Sequence, residues 1–161
     1  MAEKVTILGL GNVLRRDEGV GMLAIGLLRE RLSASADAGP EVDLVEGGVA
    51  AFEALAGRGG GRLMVVDAAR GGGPPGTVYR AGREDMAPQG ELVSLHGFGL
   101  CETLAQLELV GETWRQIVIF GVEPEDTGWG EGLSPPVAGA LDRVASAVEK
   151  ELEAVCGGAQ A

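Results

Sequence analysis

Three side chains in this sequence have the types needed to hold a metal ion against a substrate: Glu18, Asp67 and His96. Glu18 follows the first apolar run, Asp67 ends the third, and His96, the only histidine, stands where a helical pattern opens. A helix N-terminus disfavours protonated imidazole and so leaves a ring nitrogen lone pair available to a metal. Two carboxylates and one imidazole make an oxygen/nitrogen site suited to a first-row divalent ion, with positions left for ligands from elsewhere. The three residues are far apart in the chain, so spacing does not define the site. Singly, each has a plainer reading: Asp67 as a turn cap, Glu18 as a first-turn helix acid, His96 as a satisfied surface or core histidine. Cys101, five residues after His96, admits a Cys–His nucleophile pair, with a buried structural thiol as the simpler alternative. Trp129, set between glycines in a polar loop, reads either as a substrate contact or as part of a lid packed on the body. Cys156 needs no role.

Glu18 belongs to the stretch Gly9-Leu10-Gly11-Asn12-Val13-Leu14-Arg15-Arg16-Asp17-Glu18-Gly19-Val20-Gly21, on which the rest of the chain is organised. The run Val5–Leu10 before it is too short for a helix. After it Val20, Leu23, Ala24, Leu27 and Leu28 recur at spacings of three and four. The order is therefore strand, glycine-rich loop, amphipathic helix, and such a loop leaves the carboxyl end of a strand, where open α/β sheets place their ligands. It is not a dinucleotide fingerprint. Gly9 and Gly11 supply two of the three glycines, but Leu14 stands in place of the third. Asp17 and Glu18 would repel phosphates across the loop. The loop is built to present a carboxylate.

Other elements must position these groups. Val42, Leu44 and Val45 give a second strand ending at Glu46-Gly47-Gly48, and a short helix covers roughly 50–56. Leu63–Val66 is apolar on both faces, as a central covered strand should be. The link from Asp67 to Thr77, with Arg70–Gly76 broken by Gly and Pro, is too short and too irregular for a crossover helix, so the strand Thr77–Arg80 is expected to be antiparallel at the sheet edge. Leu100, Leu104, Leu107 and Val110 mark a helix face closed by Gly111, and Ile117–Phe120 is the fifth strand. Ser134 as N-cap and Pro135 at the first position open a last helix with the stripe Val137, Leu141, Val144, Val148, Leu152, Val155. The expected fold is one domain over 1–161, a three-layer α/β/α sandwich. Its sheet is about five-stranded and mostly parallel, with one antiparallel strand and helices on both faces.

Composition narrows the function classes. The 161 residues include 13 Lys or Arg and 24 Asp or Glu, a formal charge of −11. That argues against a nucleic-acid partner and against anionic membranes. No apolar run approaches the ~20 residues of a membrane span, and the first apolar run is too short for a secretory signal. Two cysteines form neither a disulfide framework nor a metal knuckle. A cytoplasmic monomer is the expectation. Aromatics are only 4%, so the core must be Val, Leu, Ile and Ala.

The 9–21 stretch resembles the opening motif of the nickel–iron hydrogenase maturation endopeptidases. Val65-Val66-Asp67-Ala68 followed by Pro74–Tyr79 is similar to their second block, and Ser94-Leu95-His96-x-x-Gly99-Leu100 to the third. Gly121-Val122-x-Pro124 with Gly130-x-Gly132-Leu133-Ser134-Pro135 is similar to the fourth. Four blocks in order span nearly the whole chain. The resemblance implies an endopeptidase that removes a C-terminal peptide from the hydrogenase large-subunit precursor after nickel insertion. It implies Glu18, Asp67 and His96 as metal-holding residues, and nickel that arrives with the substrate rather than a permanently bound cofactor. A non-cleaving large-subunit-binding or metal-sensing accessory protein is the alternative. Two positions depart from the family pattern. Glu46 stands where Asp is usual, keeping the charge but reaching further. Gly97 follows His96 where Glu is usual, removing a carboxylate and loosening the helix start.

Overall fold

The apolar runs form strands whose side chains divide by parity between two cores. In this computed structural model the described residues are 2–35, 39–86, 93–94 and 97–158. The elements are β1 (Lys4–Leu10), a 3₁₀ turn (Arg16–Gly19), α1 (Val20–Ser33), β2 (Glu41–Gly48), α2 (Ala51–Leu55) and β3 (Arg62–Arg70). They continue with β4 (Val78–Gly82), β5 (Val93–Ser94), α3 (Gly97–Leu109), β6 (Gln116–Val122), α4 (Pro135–Ala138) and α5 (Leu141–Gly158). Val5 and Ile7 of β1, Met64, Val66 and Ala68 of β3, and Val118, Phe120 and Val122 of β6 face a core shared with α1, α4 and α5. Leu8, Leu10, Leu63, Val65 and Ile119 face the other way, onto Leu55 of α2 and Leu100, Leu104 and Leu107 of α3. This period-two division makes the three layers.

Strands lie in the order β2-β1-β3-β6-β4. β2, β1, β3 and β6 are parallel neighbours, and β4 closes the edge antiparallel to β6. The helix-free link before β4 thus has the outcome expected of it. The Gly71–Gly76 stretch is tied down from inside: Gly71 N–H donates to Glu123 Oε2 (2.7 Å), Gly73 N–H to the Tyr79 hydroxyl (2.9 Å), and that hydroxyl to Glu123 Oε2 (2.9 Å). Burial and the Glu123 carboxylate hold the Tyr79 phenol above its ordinary pKa, so it stays a donor.

Four details differ from the sequence reading. The two-residue β5, unexpected from the sequence, pairs antiparallel with Ala69 and Arg70. On α1 the buried stripe is Val20, Ala24, Ile25 and Leu28, while Leu23 is exposed; the helix is rotated to put Ile25 over Gly9, where a Cβ would come within 2.5 Å of Ile25 Cγ1. Val110 is not part of the α3 face: the helix stops at Leu109, and Val110 turns to solvent before Gly111 at φ +87°. The last helix is broken. α4 ends at Gly139, a poor helix former, and α5 restarts the same stripe. No helix among the described residues is long and apolar enough to cross a membrane.

Candidate functional site

The glycines of the 9–21 stretch let backbone meet backbone. β1 and β3 run in register with Gly9 beside Val66, so Leu10 and Asp67 come next along the neighbouring strands. Beyond them Asn12 makes a tight turn, its Oδ1 accepting from Leu14 N–H (3.0 Å) and its carbonyl from Arg15 N–H (3.0 Å). Gly11 has φ +132°, and a Cβ there would sit 1.7 Å from the Glu18 carbonyl oxygen. A Cβ on Gly21 would sit 2.3 Å from the carbonyl oxygens of both Leu10 and Val66. Only glycine permits these approaches. They seat the 3₁₀ turn and the start of α1 on the carboxyl ends of β1 and β3, and so set Glu18 at the end of the sheet that bears Asp67.

Asp67 is 1% exposed. By alternation it follows Leu63 and Val65 on the face covered by α2 and α3, and its Oδ1 accepts from Ala68 N–H (2.8 Å). The Glu18 side chain is 13% exposed, with Arg15 Nε 3.8 Å from its Oε1. His96 lies outside the described residues. Its described neighbours in the chain are Ser94, paired with Ala69 two residues past Asp67, and Gly97, the first residue of α3. Among the described residues no three His, Cys, Asp or Glu side chains gather as a metal site.

Asp17 was not singled out by sequence reasoning, and it does something different from its neighbour. It is fully buried, and both oxygens are used: Oδ2 accepts from the N–H groups of Glu125 (2.9 Å) and Asp126 (2.8 Å) and from Ser134 Oγ (2.8 Å), Oδ1 from Ser134 N–H (2.8 Å). Ser134 does stand at the N-cap of α4, but its hydroxyl goes to Asp17 rather than to its own helix. Burial works to raise the pKa of Asp17, but the hydrogen bonds from Asp126, Ser134 and Glu125 outweigh it and hold the group below the ordinary carboxylate value. A depressed folded pKa contributes stability that is complete above the unfolded value, ~3.9, and is lost as pH falls through the folded one. Urea unfolding from pH 7 to pH 3 should therefore show a smaller loss of stability in Asp17→Asn than in wild type. Equal slopes would show that Asp17 gains nothing from its charge.

The loop that Asp17 grips also carries Trp129. Its indole is 74% exposed, so it is no packed lid, and its ring lies 5.2 Å from the Arg15 guanidinium carbon. Arg15 Nε donates to the Thr127 carbonyl (3.0 Å). Cys101 is half-buried on α3 against the Leu-rich core. Glu46 reaches toward α1, where Arg29 meets it at 3.2 Å, so its extra length is used in a surface ion pair. On the other face an open groove of about 330 Å³ runs beside the sheet end, lined by Leu10, Gly48, Val49, Phe52, Leu100 and Thr103.

The family model for hydrogenase maturation proteases matches residues 27–151. The Escherichia coli hydrogenase 2 maturation protease is 30% identical over 161 residues, covering 94% of this chain and 95% of that one. The hydrogenase expression/formation protein HoxM of Cupriavidus necator is 33% identical over 151 residues, covering 91% of this chain and 71% of its own length. Among solved structures, the hydrogenase maturating endopeptidase HybD of E. coli superposes with a TM-score of 0.77 at 25% identity, covering 93% of this chain and 92% of that one. HybD of Thermococcus kodakarensis gives 0.76 at 24% identity, covering 92% and 99%, a likeness of fold. On these matches the chain belongs to the hydrogenase maturation proteases, a family of peptide-bond hydrolases.

Proposed function

We propose that this chain removes a C-terminal peptide from the nickel-loaded precursor of a nickel–iron hydrogenase large subunit, and that Glu18, Asp67 and His96 grip the nickel the substrate brings. The observation that supports this most is the placement of Asp67. A carboxylate 1% exposed inside the central strand, between Val66 and Ala68, is costly to bury, so a position there calls for a role. Glu18 is brought to the same end of the sheet by glycine contacts with no other evident purpose. Oxygen donors from two acids with one imidazole suit nickel and leave its remaining positions to the substrate. A metal so held supplies Lewis acidity to the scissile carbonyl or to a water. The chain's own part is to present the two carboxylates at one end of the sheet. The groove past Leu10 and Phe52 gives an extended tail somewhere to lie. The metal belongs to the substrate, so no resident cofactor is proposed.

The test is to incubate the protein with nickel-loaded and nickel-free precursor subunits and follow the C-terminus by intact mass. Loss of a C-terminal peptide from the loaded form alone is expected. Tight binding of the precursor without any mass loss would instead support a non-cleaving accessory role.

A further inference from the structure

We propose that Asp17 is the positioning residue of the site: it locks residues 125–134 to the turn carrying Glu18, so that the carboxylate and the Trp129 loop form one rigid unit. The inference rests on the proteolytic reading for its catalytic consequence but not for its geometry. Among the described residues the four donors to Asp17 come from Glu125, Asp126 and Ser134, more than a hundred residues further along the chain. Backbone bonds run alongside, from Asp17 N–H to the Asp126 carbonyl (3.1 Å), Arg16 N–H to the Gly130 carbonyl (3.0 Å) and Gly130 N–H to the Leu14 carbonyl (2.9 Å). The Arg15 side chain adds its bond to Thr127 and its stack under Trp129.

Four donors converging on one buried group require four acceptor positions. A carboxylate has them, whereas an Asn amide would turn an N–H₂ toward a donor. The clamp also has something to hold against. Arg16, between the stack and the clamp, lies at φ +45°, a left-handed conformation that side-chain-bearing residues adopt only when their surroundings enforce it. Released, the turn would relax, and Glu18 would shift with it. Reacting groups tolerate little displacement. Because Trp129 rides on the clamped loop, substrate touching its ring meets a surface already fixed with respect to Glu18.

The test compares wild type, Asp17→Asn, Ser134→Ala and the core variant Val148→Ala, which destabilises α5 far from the site. Precursor cleavage is measured well below every unfolding midpoint, alongside amide exchange at residues 15–19. Asp17→Asn should lower kcat about 10- to 100-fold, the usual effect of removing a supporting partner, with KM little changed and exchange at 15–19 accelerated. Ser134→Ala, which removes one bond of the four, should fall between it and wild type. Val148→Ala should keep its kcat and slow exchange at 15–19 despite a lowered melting temperature. If Asp17→Asn loses no more activity than Val148→Ala, or leaves exchange at 15–19 unaltered, the proposal is overturned. Should Asp17→Asn not fold, Ser134→Ala decides by the same two readouts. A wild-type chain that leaves the precursor uncut would defeat the proteolytic reading alone, and the exchange comparison would still decide whether Asp17 holds the turn.

Discussion

His96→Ala is expected to abolish processing of the nickel-loaded precursor, with the rate falling by at least ~100-fold, since even supporting partners of metal ligands are worth ~10- to 100-fold. If Glu18, Asp67 and His96 act as one nickel-gripping set, Glu18→Gln and Asp67→Asn should behave alike. Each keeps its shape and loses a charged donor. Cys101→Ala is the control. Its side chain packs on α3 against the Leu-rich core, so the change should leave cleavage intact and cost about 1 kcal/mol or so from a small cavity. Single-turnover cleavage and thermal melts on the four variants decide the matter. A normally active His96→Ala beside a dead Cys101→Ala would overturn the metal reading and restore the thiol as nucleophile.

The second large effect concerns a residue with no side chain. Gly11→Ala places a Cβ 1.7 Å from the Glu18 carbonyl oxygen at a backbone φ of +132°. The carbonyl is main chain and cannot swing aside, so the turn must move. Overpacking of this kind together with backbone strain should destabilise by about 3 kcal/mol or more, a drop of roughly 6–12 °C in melting temperature for a domain of this size. Activity should fall further than stability, because the displaced group belongs to Glu18 itself. Gly26→Ala is the counterpart: it lies within α1 with nothing within 4 Å of its added Cβ. It should stabilise by about 0.5–1 kcal/mol, since alanine is the better helix former. A Gly11→Ala protein that melts with wild type and still cuts would show that the close approach is not needed.

The layers, the strand sequence and the antiparallel edge were legible because they depend on local patterns: period two in β1, β3 and β6, a stripe in α5, and a broken link before β4. Glu18 and Asp67 were candidates because one acid follows the first apolar run and the other closes the third; Glu18 in fact lies in the 3₁₀ turn, and Asp67 lies inside β3, which runs on to Arg70 because Asp67 and Ala68 still pair with β6. Asp17 was not. Its partners lie beyond residue 120, and nothing local separates an inward acid from an outward one in Asp17-Glu18. The one available signal, a serine before two prolines, correctly marks the N-cap of α4, but nothing local shows that its hydroxyl goes to Asp17. The exposures of Leu23 and Val110 were misread for the same reason. Apolar spacing locates a stripe, but contact with Gly9 and the stop at Gly111 set its phase and its end.

The place of β4 has a consequence for how the chain is made. In sequence β4 follows β3, yet in the sheet β6 lies between them, and among the described residues β4 pairs with β6 alone. As the polypeptide leaves the ribosome, Val78–Gly82 therefore emerges before the strand it needs. For a time on the order of seconds at ordinary synthesis rates, the Leu63–Ala68 edge of β3 faces solvent with its hydrogen bonds unmade. Such an edge is open to pairing with the wrong strand, β4 itself or another chain. A nascent chain arrested before Gln116 is thus not a smaller version of this domain but an adhesive one. Its safe production depends on β6 arriving promptly or on a chaperone covering the gap.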